Sequence, residues 1–295
     1  MATVTRRVTT PTSPHRTGPY RPSAARRAKL WLAKNFAMLA AIAALLYLFL
    51  PVAYTLAFSF NDHGRSNIVW QGFTLEHWKD PCGVPGACES LVTSLQVAAI
   101  STLVATVLGT LMALAMVRYR YRGRSASNML VFVPMATPEI VLGAALLAIF
   151  VQGFNDIGIN LGFTTIVFAH IMFCLSFVVV TVKARIQSLD PRTEEAAQDL
   201  YASPAQTFRT VTLPLILPGI LGAAMLAFSL SFDDFIITNF VSGNESTFPK
   251  FVYVASRRGI PAEANVIGFS MFVLAVLLVV GAQVVSSLRK PQVED

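Results

Sequence analysis

The stretch DPRTEEAAQDLYASPAQTFRTVTLPLILPG, residues 190–219, decides the fold, because this polar, helix-prone segment lies between two long apolar runs. Asp190 followed by Pro191 predicts a helix start, with a capping carboxylate before a proline at the first helical position. Ser203, again followed by a proline, predicts a second start, and Gln206 three residues later completes the pattern of a capping box. We therefore expect a hairpin of two short, angled helices outside a membrane, from which Leu213-Pro214 leads back in.

The hairpin contains three short motifs at fixed spacing: Glu195-Ala196-Ala197, Ala202-Ser203 and Val211-x-Leu213-Pro214. Without a gap, this spacing resembles the EAA loop of permease subunits in binding-protein-dependent ABC importers. The resemblance implies a coupling loop at residues 184–212 that docks on an ATPase. The docking residues it implies are Glu195, Ala196, Ala197, Tyr201, Ala202, Ser203, Leu213 and Pro214. The alternative is an amphipathic linker that only joins two membrane helices.

Two positions depart from the family pattern. Tyr201 stands where the family has glycine, and Val211 stands where it has isoleucine. The glycine is expected to serve a turn with positive φ between the two helices, and a bulky residue is rare in that conformation. Either the turn is built differently in this chain, or Tyr201 adds a contact with the partner.

Composition places the chain among membrane proteins, since 54% of its 295 residues are hydrophobic and only 13% are charged. A helix that spans a bilayer needs about 20 apolar residues. The sequence therefore predicts an all-α membrane protein with six transmembrane helices. They are expected at Phe36–Phe60, Leu91–Val117, Met129–Phe154, Leu161–Val182, Leu213–Phe240 and Val266–Leu288. The family resemblance adds the expectation of a MetI-like ABC importer permease fold.

The distribution of positive charge predicts the orientation in the membrane. Most of the 23 Lys and Arg residues lie before the first span, in the second loop, in the hairpin loop or at the C-terminus. The alternate loops contain only Arg65, Lys79, Lys250, Arg257 and Arg258. By the positive-inside rule, both termini and the hairpin are expected to be cytoplasmic. This distribution explains the net charge of +7 better than nucleic-acid binding does.

The predicted organisation has five parts. Residues 1–34 form a disordered, basic cytoplasmic tail rather than a cleaved signal peptide, and residues 35–60 form the first transmembrane helix. An extracytoplasmic loop follows at 61–90. Residues 91–288 form the permease core, and 289–295 a cytoplasmic C-terminal tail.

The extracytoplasmic loop carries two tryptophans and two cysteines. Trp70 and Trp78 suit the membrane interface, where an indole keeps its ring in lipid and its N–H in water. In an oxidising compartment Cys82 and Cys88 could form a disulfide, and two free thiols are the alternative. The third cysteine, Cys174, lies within a span and is expected to be a packing residue.

Small residues recur four positions apart in two of the predicted spans. Such stripes allow helices to approach closely in lipid, where helix association brings no hydrophobic gain. The stripes are Ala105, Gly109 and Ala113 in the second span, and Gly219, Ala223 and Ala227 in the fifth.

The third span contains two prolines, Pro134 and Pro138, followed directly by Glu139. If the span is one helix, Glu139 lies about 15 Å deep, near the bilayer midplane. A charge at that depth is costly unless it faces a partner or a wet path. Glu139 is therefore either a pathway carboxylate that meets a cationic substrate or a structural carboxyl bonded within the bundle. His170 in the fourth span is expected to be a satisfied packing histidine.

The fifth span ends in Ser231-Phe232-Asp233-Asp234-Phe235, and this run resembles permeases of the spermidine/putrescine type. Opine and phosphonate importers are close relatives of these. Polyamines are flexible polycations, for which carboxylates are suitable partners. Adjacent residues on a helix point about 100° apart, so at most one aspartate is expected to face the path, with Asp234 slightly favoured. The alternative is that one of them pairs with Arg257 or Arg258 or caps a re-entrant turn.

Enzyme classes fit the sequence poorly. We find no P-loop pattern, no catalytic motif and no metal-binding spacing, so ATP and Mg²⁺ are expected on a partner ATPase. The resemblance implies a multi-pass protein of the bacterial inner membrane, with a second permease subunit, an ABC ATPase dimer and an extracytoplasmic binding protein as partners. Membrane lipid is a further partner. Two alternatives remain: an ion-coupled secondary transporter, although we detect no internal repeat, and a structural membrane scaffold, which the charges within the spans disfavour.

Overall fold

The computed structural model describes residues 24–62, 67–154, 158, 160–257 and 259–288. The chain divides into two compact units, Met1–Tyr54 and Thr55–Asp295. Most of the predicted N-terminal tail and the whole C-terminal tail lie outside the described residues. The expectation that the tail has no helix up to residue 34 is wrong, since α1 (Ala24–Phe58) begins ten residues earlier.

The apolar part of α1, Asn35–Phe58, has a mean hydropathy of 2.4 and confirms the first predicted span. The described side chains of the first unit are mostly exposed, including Leu46, Tyr47 and Leu50. A helix that is apolar all round and has no polar stripe is suited to a lipid environment.

The second unit is built from helices and their connections. In chain order these are α2 (Glu76–Lys79), α3 (Ala87–Arg118), α4 (Arg124–Ala136), α5 (Glu139–Ile149), α6 (Phe163–Gln187), α7 (Arg192–Asp199), α8 (Pro204–Thr207), α9 (Leu213–Asp233), α10 (Ile236–Val241), α11 (Phe248–Ser256) and α12 (Ala262–Leu288).

Helices α3, α6 and α9 pack against one another and form the core of the second unit. The small-residue stripes lie at these contacts, as predicted, since Ala105, Ala113, Ala223 and Ala227 are fully buried. At Gly109, a Cβ atom would lie 2.6 Å from Cγ1 of Val178 on α6. The small side chains therefore allow close helix approach, which supplies the packing energy that the hydrophobic effect cannot supply in lipid.

Among the described residues, five helical stretches are long and apolar enough to span a membrane, and a bent pair brings the number to the predicted six when it is counted as one span. The pair consists of α4 and the helix that starts at Glu139, and it bends by 108°. The prediction of one continuous third span is therefore wrong. Pro138 has no N–H for the helix and disfavours helical geometry at Thr137, which adopts an extended conformation.

The second helix of the hairpin also differs from its prediction. Instead of a separate helix, α8 continues through a π-helical turn, Phe208–Thr212, directly into α9. Pro204–Asp233 is thus one helical stretch. The wide π turn lies just before Pro214. This proline has no N–H to donate to the preceding turn, and the π geometry accommodates the missing bond. At its other end α9 stops at Asp233, short of the predicted Phe240.

Candidate functional site

The hairpin begins where the sequence indicates. An oxygen of the Asp190 carboxylate accepts the backbone N–H of Arg192 at 3.0 Å, and α7 follows. At the second start, Ser203 Oγ accepts the backbone N–H of Gln206 at 3.3 Å, with Pro204 at the first helical position. Both predicted caps are therefore present.

Tyr201 occupies the left-handed turn between the two helices, with a φ of 62°. Its N–H donates to the Gln198 carbonyl at 2.9 Å, and the N–H of Ala202 donates to the Ala197 carbonyl at 3.1 Å. These two bonds form a Schellman motif in which residue 201 is the position usually filled by glycine. The turn therefore has the usual Schellman geometry, and Tyr201 adopts the left-handed conformation that is unfavourable for a residue with a side chain. The Tyr201 side chain is 98% exposed.

Glu194 anchors the hairpin to the rest of the unit. Its carboxylate forms an ion pair with Arg118, the last residue of α3, and accepts the Thr212 hydroxyl at 2.7 Å. Neither Glu194 nor Arg118 was predicted to form this contact. Both lie in positively charged loops on one side of the membrane, but nothing in the spacing pairs them.

The outer surface of the hairpin is open. Glu195 and Ala196 are exposed on α7, and Leu200 and Tyr201 are exposed at the turn. We call these four residues the hairpin surface. The acidic Glu195 and the small Ala196 lie beside the large side chains of Leu200 and Tyr201. An exposed surface of this mixed kind suits contact with another protein.

Of the other residues assigned to docking, Ser203 and Pro214 are exposed, whereas Ala197, Ala202 and Leu213 are half-buried. Of these three, Leu213 packs against the buried apolar core formed by α3, α6 and α9. The structure thus places the predicted residues on one continuous segment but exposes only part of them.

Glu139 is the first residue of α5, directly after the bend. Its side chain is exposed, and α5 packs against α10, the helix that follows Asp233 and Asp234. The three predicted pathway carboxylates, from the third and fifth predicted spans, thus lie at the breaks of two spans whose helices are in contact.

Asp233 and Asp234 have opposite environments. Asp233 ends α9 and is exposed, whereas Asp234 is 8% exposed. The Asp234 carboxylate accepts the backbone N–H groups of Ile237 at 3.3 Å and Thr238 at 2.8 Å. Asp234 therefore caps α10, which is the re-entrant cap that the sequence left open as an alternative.

His170 from α6 completes the surroundings of Asp234, with Nε2 lying 3.2 Å from Oδ2. The imidazole is fully buried and also contacts the hydroxyls of Ser231 and Thr238. The prediction of a buried, satisfied histidine is confirmed. Cys174, one turn further along α6, is buried as predicted and contacts the Ala227 carbonyl.

At the start of α3, a disulfide joins Cys82 and Cys88, with their Cα atoms 5.3 Å apart. This pairing decides between the two alternatives that the sequence left open. Trp78 does not lie free at an interface, because its indole N–H donates to Ser59 Oγ at 3.1 Å and its ring stacks on Phe60. Trp70, by contrast, is half exposed.

Lys250 stabilises the turn after α10 through hydrogen bonds. Its ammonium donates to Ser242 Oγ at 2.7 Å and to the carbonyls of Glu245 at 2.9 Å and Gly243 at 3.1 Å. Burial lowers the pKa of Lys250, against the opposing effect of the nearby Glu245 carboxylate. Arg257, a predicted partner of the aspartates, instead stacks on Tyr253 at 4.9 Å. Arg258 lies outside the described residues.

Comparison with known proteins agrees with this geometry. Residues 105–290 match the family described as binding-protein-dependent transport system inner membrane component. The chain is 36% identical over 241 residues to the spermidine/putrescine transport system permease protein PotC of Escherichia coli K12, which covers 81% of this chain and 89% of PotC. It is 34% identical over 223 residues to the putrescine transport system permease protein PotI of the same strain, covering 74% of this chain and 79% of PotI.

Solved structures show the same fold. A bacterial ABC transporter involved in import of the acidic polysaccharide alginate superposes with a TM-score of 0.67 at 16% identity, over 89% of this chain and all of that one. The inward-facing MetNI methionine ABC transporter superposes with a TM-score of 0.55 at 18% identity, over 69% and 96% of the two chains. The predicted MetI-like permease fold is confirmed.

The matched region includes the hairpin, the bent helix pair and the break after α9, and it extends over more than half of the chain. The resemblance first seen in the hairpin motifs is thereby confirmed. The chain belongs to the family of binding-protein-dependent transport system inner membrane components.

Proposed function

We propose that this chain is a permease subunit of an ATP-driven importer of polyamines. The observation that carries the substrate class is the placement of two exposed carboxylates, Glu139 and Asp233, at the breaks of two spans whose helices α5 and α10 pack together. Carboxylates held in this way are suitable transient partners for the ammonium groups of a flexible polycation. The relatives named for spermidine and putrescine support the same class.

The hairpin surface is proposed to dock on a cytoplasmic ABC ATPase dimer that binds ATP and Mg²⁺. Glu195 offers a charged hydrogen bond there, and the small Ala196 side chain allows close approach. The Glu194–Arg118 ion pair ties the hairpin to α3, so a displacement of the hairpin is passed to the core helices. This connection would let ATPase closure drive alternating access in the spans.

The remaining partners in the proposal are a second permease subunit and an extracytoplasmic binding protein that delivers the substrate. The positive charge of the hairpin side supports an orientation with both termini in the cytoplasm. The Cys82–Cys88 disulfide supports it as well, because such bonds persist in oxidising compartments.

Two other functions are less well supported. An importer of an anionic solute such as a phosphonate would have to pass Glu139 and Asp233, whose charges repel anions. A self-sufficient, ion-coupled transporter has no use for the hairpin surface.

The test is ATP hydrolysis by the purified complex in the presence of its binding protein. We expect spermidine-loaded binding protein to stimulate hydrolysis above the level of unloaded protein and to drive uptake into proteoliposomes. Stimulation by another small solute and by no polyamine would contradict the substrate class. Uptake by this chain alone, driven by an ion gradient, would contradict the ATP-driven mechanism.

A further inference from the structure

His170, two turns into α6, contacts both sides of the break between α9 and α10. Its Nδ1 lies 2.7 Å from the hydroxyl of Ser231, in the last turn of α9. Its Nε2 lies 2.9 Å from the hydroxyl of Thr238, in the first turn of α10. Nε2 also lies 3.2 Å from Oδ2 of Asp234, at the break itself. One side chain from a third helix thus joins the two segments.

A single arrangement of protons satisfies this cluster with a neutral imidazole. The Ser231 hydroxyl donates to Nδ1. The Nε2–H group faces two acceptors, Thr238 Oγ1 and Asp234 Oδ2, and its hydrogen bond is divided between them. The Thr238 hydroxyl donates to the same carboxylate oxygen at 2.9 Å. Since a fully satisfied buried network favours one geometry over others, this cluster fixes the angle between α9 and α10.

The angle at the break sets the position of α5. Phe240 on α10 packs directly over Gly143 of α5, where an added Cβ would lie 2.6 Å from Cδ2 of the Phe240 ring. Helix α5 begins at Glu139, four residues earlier, while Asp233 is the last residue of α9. A change of angle between α9 and α10 would therefore change the separation of the two exposed carboxylates.

We propose that His170 is a positioning residue for transport, which holds Glu139 and Asp233 at the separation that a polyamine requires. The inference rests on the proposed function, because it assigns the two carboxylates to the substrate path. His170 itself is 1% exposed and acts through Asp234 and Thr238 rather than by touching the substrate. Asp234, likewise buried, belongs to the same supporting network.

The experiment uses the complete complex in proteoliposomes, with initial uptake of spermidine and putrescine measured separately. We expect His170→Leu to reduce uptake about tenfold and to change the ratio of the two rates, because misplacement by an ångström can cost 10- to 100-fold. His170→Gln retains an amide donor and a carbonyl acceptor, so it should preserve most uptake and the wild-type ratio. Ser101→Ala is the matched control, because it removes a buried hydroxyl whose hydrogen bond goes to the Val167 carbonyl of α6 rather than to α9 or α10; uptake should stay unchanged.

A double-mutant cycle separates positioning from a general packing role. In an Asp233→Asn background, His170→Leu should lower the remaining uptake by less than about twofold, because its effect acts through that carboxylate. An undiminished tenfold loss in that background would overturn the positioning role. If His170→Leu does not assemble, Thr238→Val takes its place, with a severalfold loss expected in the wild type and the same small loss with Asp233→Asn. Unchanged uptake in Asp233→Asn alone would instead overturn the proposed pathway, a distinguishable result.

Discussion

Asp233 and Asp234 are consecutive in the chain, yet one carboxylate is exposed and the other caps a helix inside the bundle. The separation arises because α9 ends at Asp233, and the backbone at Asp234 turns to an extended conformation with a ψ of 123°. A continuous helix would have placed both side chains on neighbouring faces. The break thus divides one acidic pair into a buried structural group and an exposed carboxylate.

Replacing each aspartate separately should distinguish these two roles. Asp234→Asn leaves the buried His170 and the first turn of α10 without their charged hydrogen-bond acceptor, and we expect a loss of about 2 kcal/mol in the free energy of unfolding. Asp233→Asn should leave stability unchanged and lower uptake. Thermal unfolding of the detergent-solubilised complex and uptake in proteoliposomes measure the two effects. Equal destabilisation by both substitutions would contradict the division.

The adjacent glutamates of the hairpin provide a second pair with different roles. Glu195→Ala removes a group from the open hairpin surface, so ATP hydrolysis should continue while uptake per ATP falls. Glu194→Ala removes the contacts with Arg118 and Thr212 and should cost about 1 kcal/mol of stability, because both contacts are partly exposed. The ratio of uptake to hydrolysis and the thermal midpoint are measured for each variant. Normal coupling in Glu195→Ala would show that this residue does not dock.

Tyr201 has a conformational cost that glycine would remove. Tyr201→Gly should stabilise the chain by about 1 kcal/mol, because a left-handed backbone conformation costs a residue with a side chain that much. The same substitution should weaken binding of the ATPase if the exposed ring makes a contact. Thermal unfolding of the isolated chain and ATPase affinity are the readouts. Tyr201→Ala, which keeps the cost and removes the ring, is the control. Stability in Tyr201→Gly no higher than in Tyr201→Ala would contradict the backbone argument.

Gly109 marks the closest approach of α3 and α6. Gly109→Ala places a Cβ 2.6 Å from Val178 Cγ1 and should destabilise the chain by about 1–3 kcal/mol. Gly222→Ala is a matched control in α9, since nothing lies within 4 Å of the added atom. The control should gain up to about 1 kcal/mol from the better helix propensity of alanine. Similar thermal midpoints for both variants would show that α3 and α6 lie further apart.

The Cys82–Cys88 bond can be tested by mass. Alkylation of the unfolded chain without a reductant should modify Cys174 alone, whereas prior reduction should add two further labels. Cys82→Ser should lower stability by about 2 kcal/mol, the value expected for so small a ring. Three labels without reduction would establish free thiols.

Much of the architecture was predictable because it depends on local pattern. Apolar runs of sufficient length predict the spans, the spacing of small residues predicts the packed faces around Gly109, and the caps at Asp190 and Ser203 predict the hairpin. These signals are local for two reasons. The hydrogen bonds of a helix join residues that are close in the chain, and the length needed to cross a bilayer is met by one continuous apolar run.

The breaks and pairings required the tertiary structure. The sequence shows prolines near Glu139, but a bend of 108° depends on what packs around the freed backbone groups. It also shows two aspartates side by side. The residue that contacts the buried Asp234 and stabilises it in the interior is His170, which lies on a different helix more than sixty residues earlier. Glu194 and Arg118 are likewise distant in the chain. By itself the sequence determined the apolar spans, the hairpin and the presence of carboxylates within the spans. Only the tertiary structure decided which carboxylate is buried, because the partners that stabilise a buried charge are brought to it by the fold.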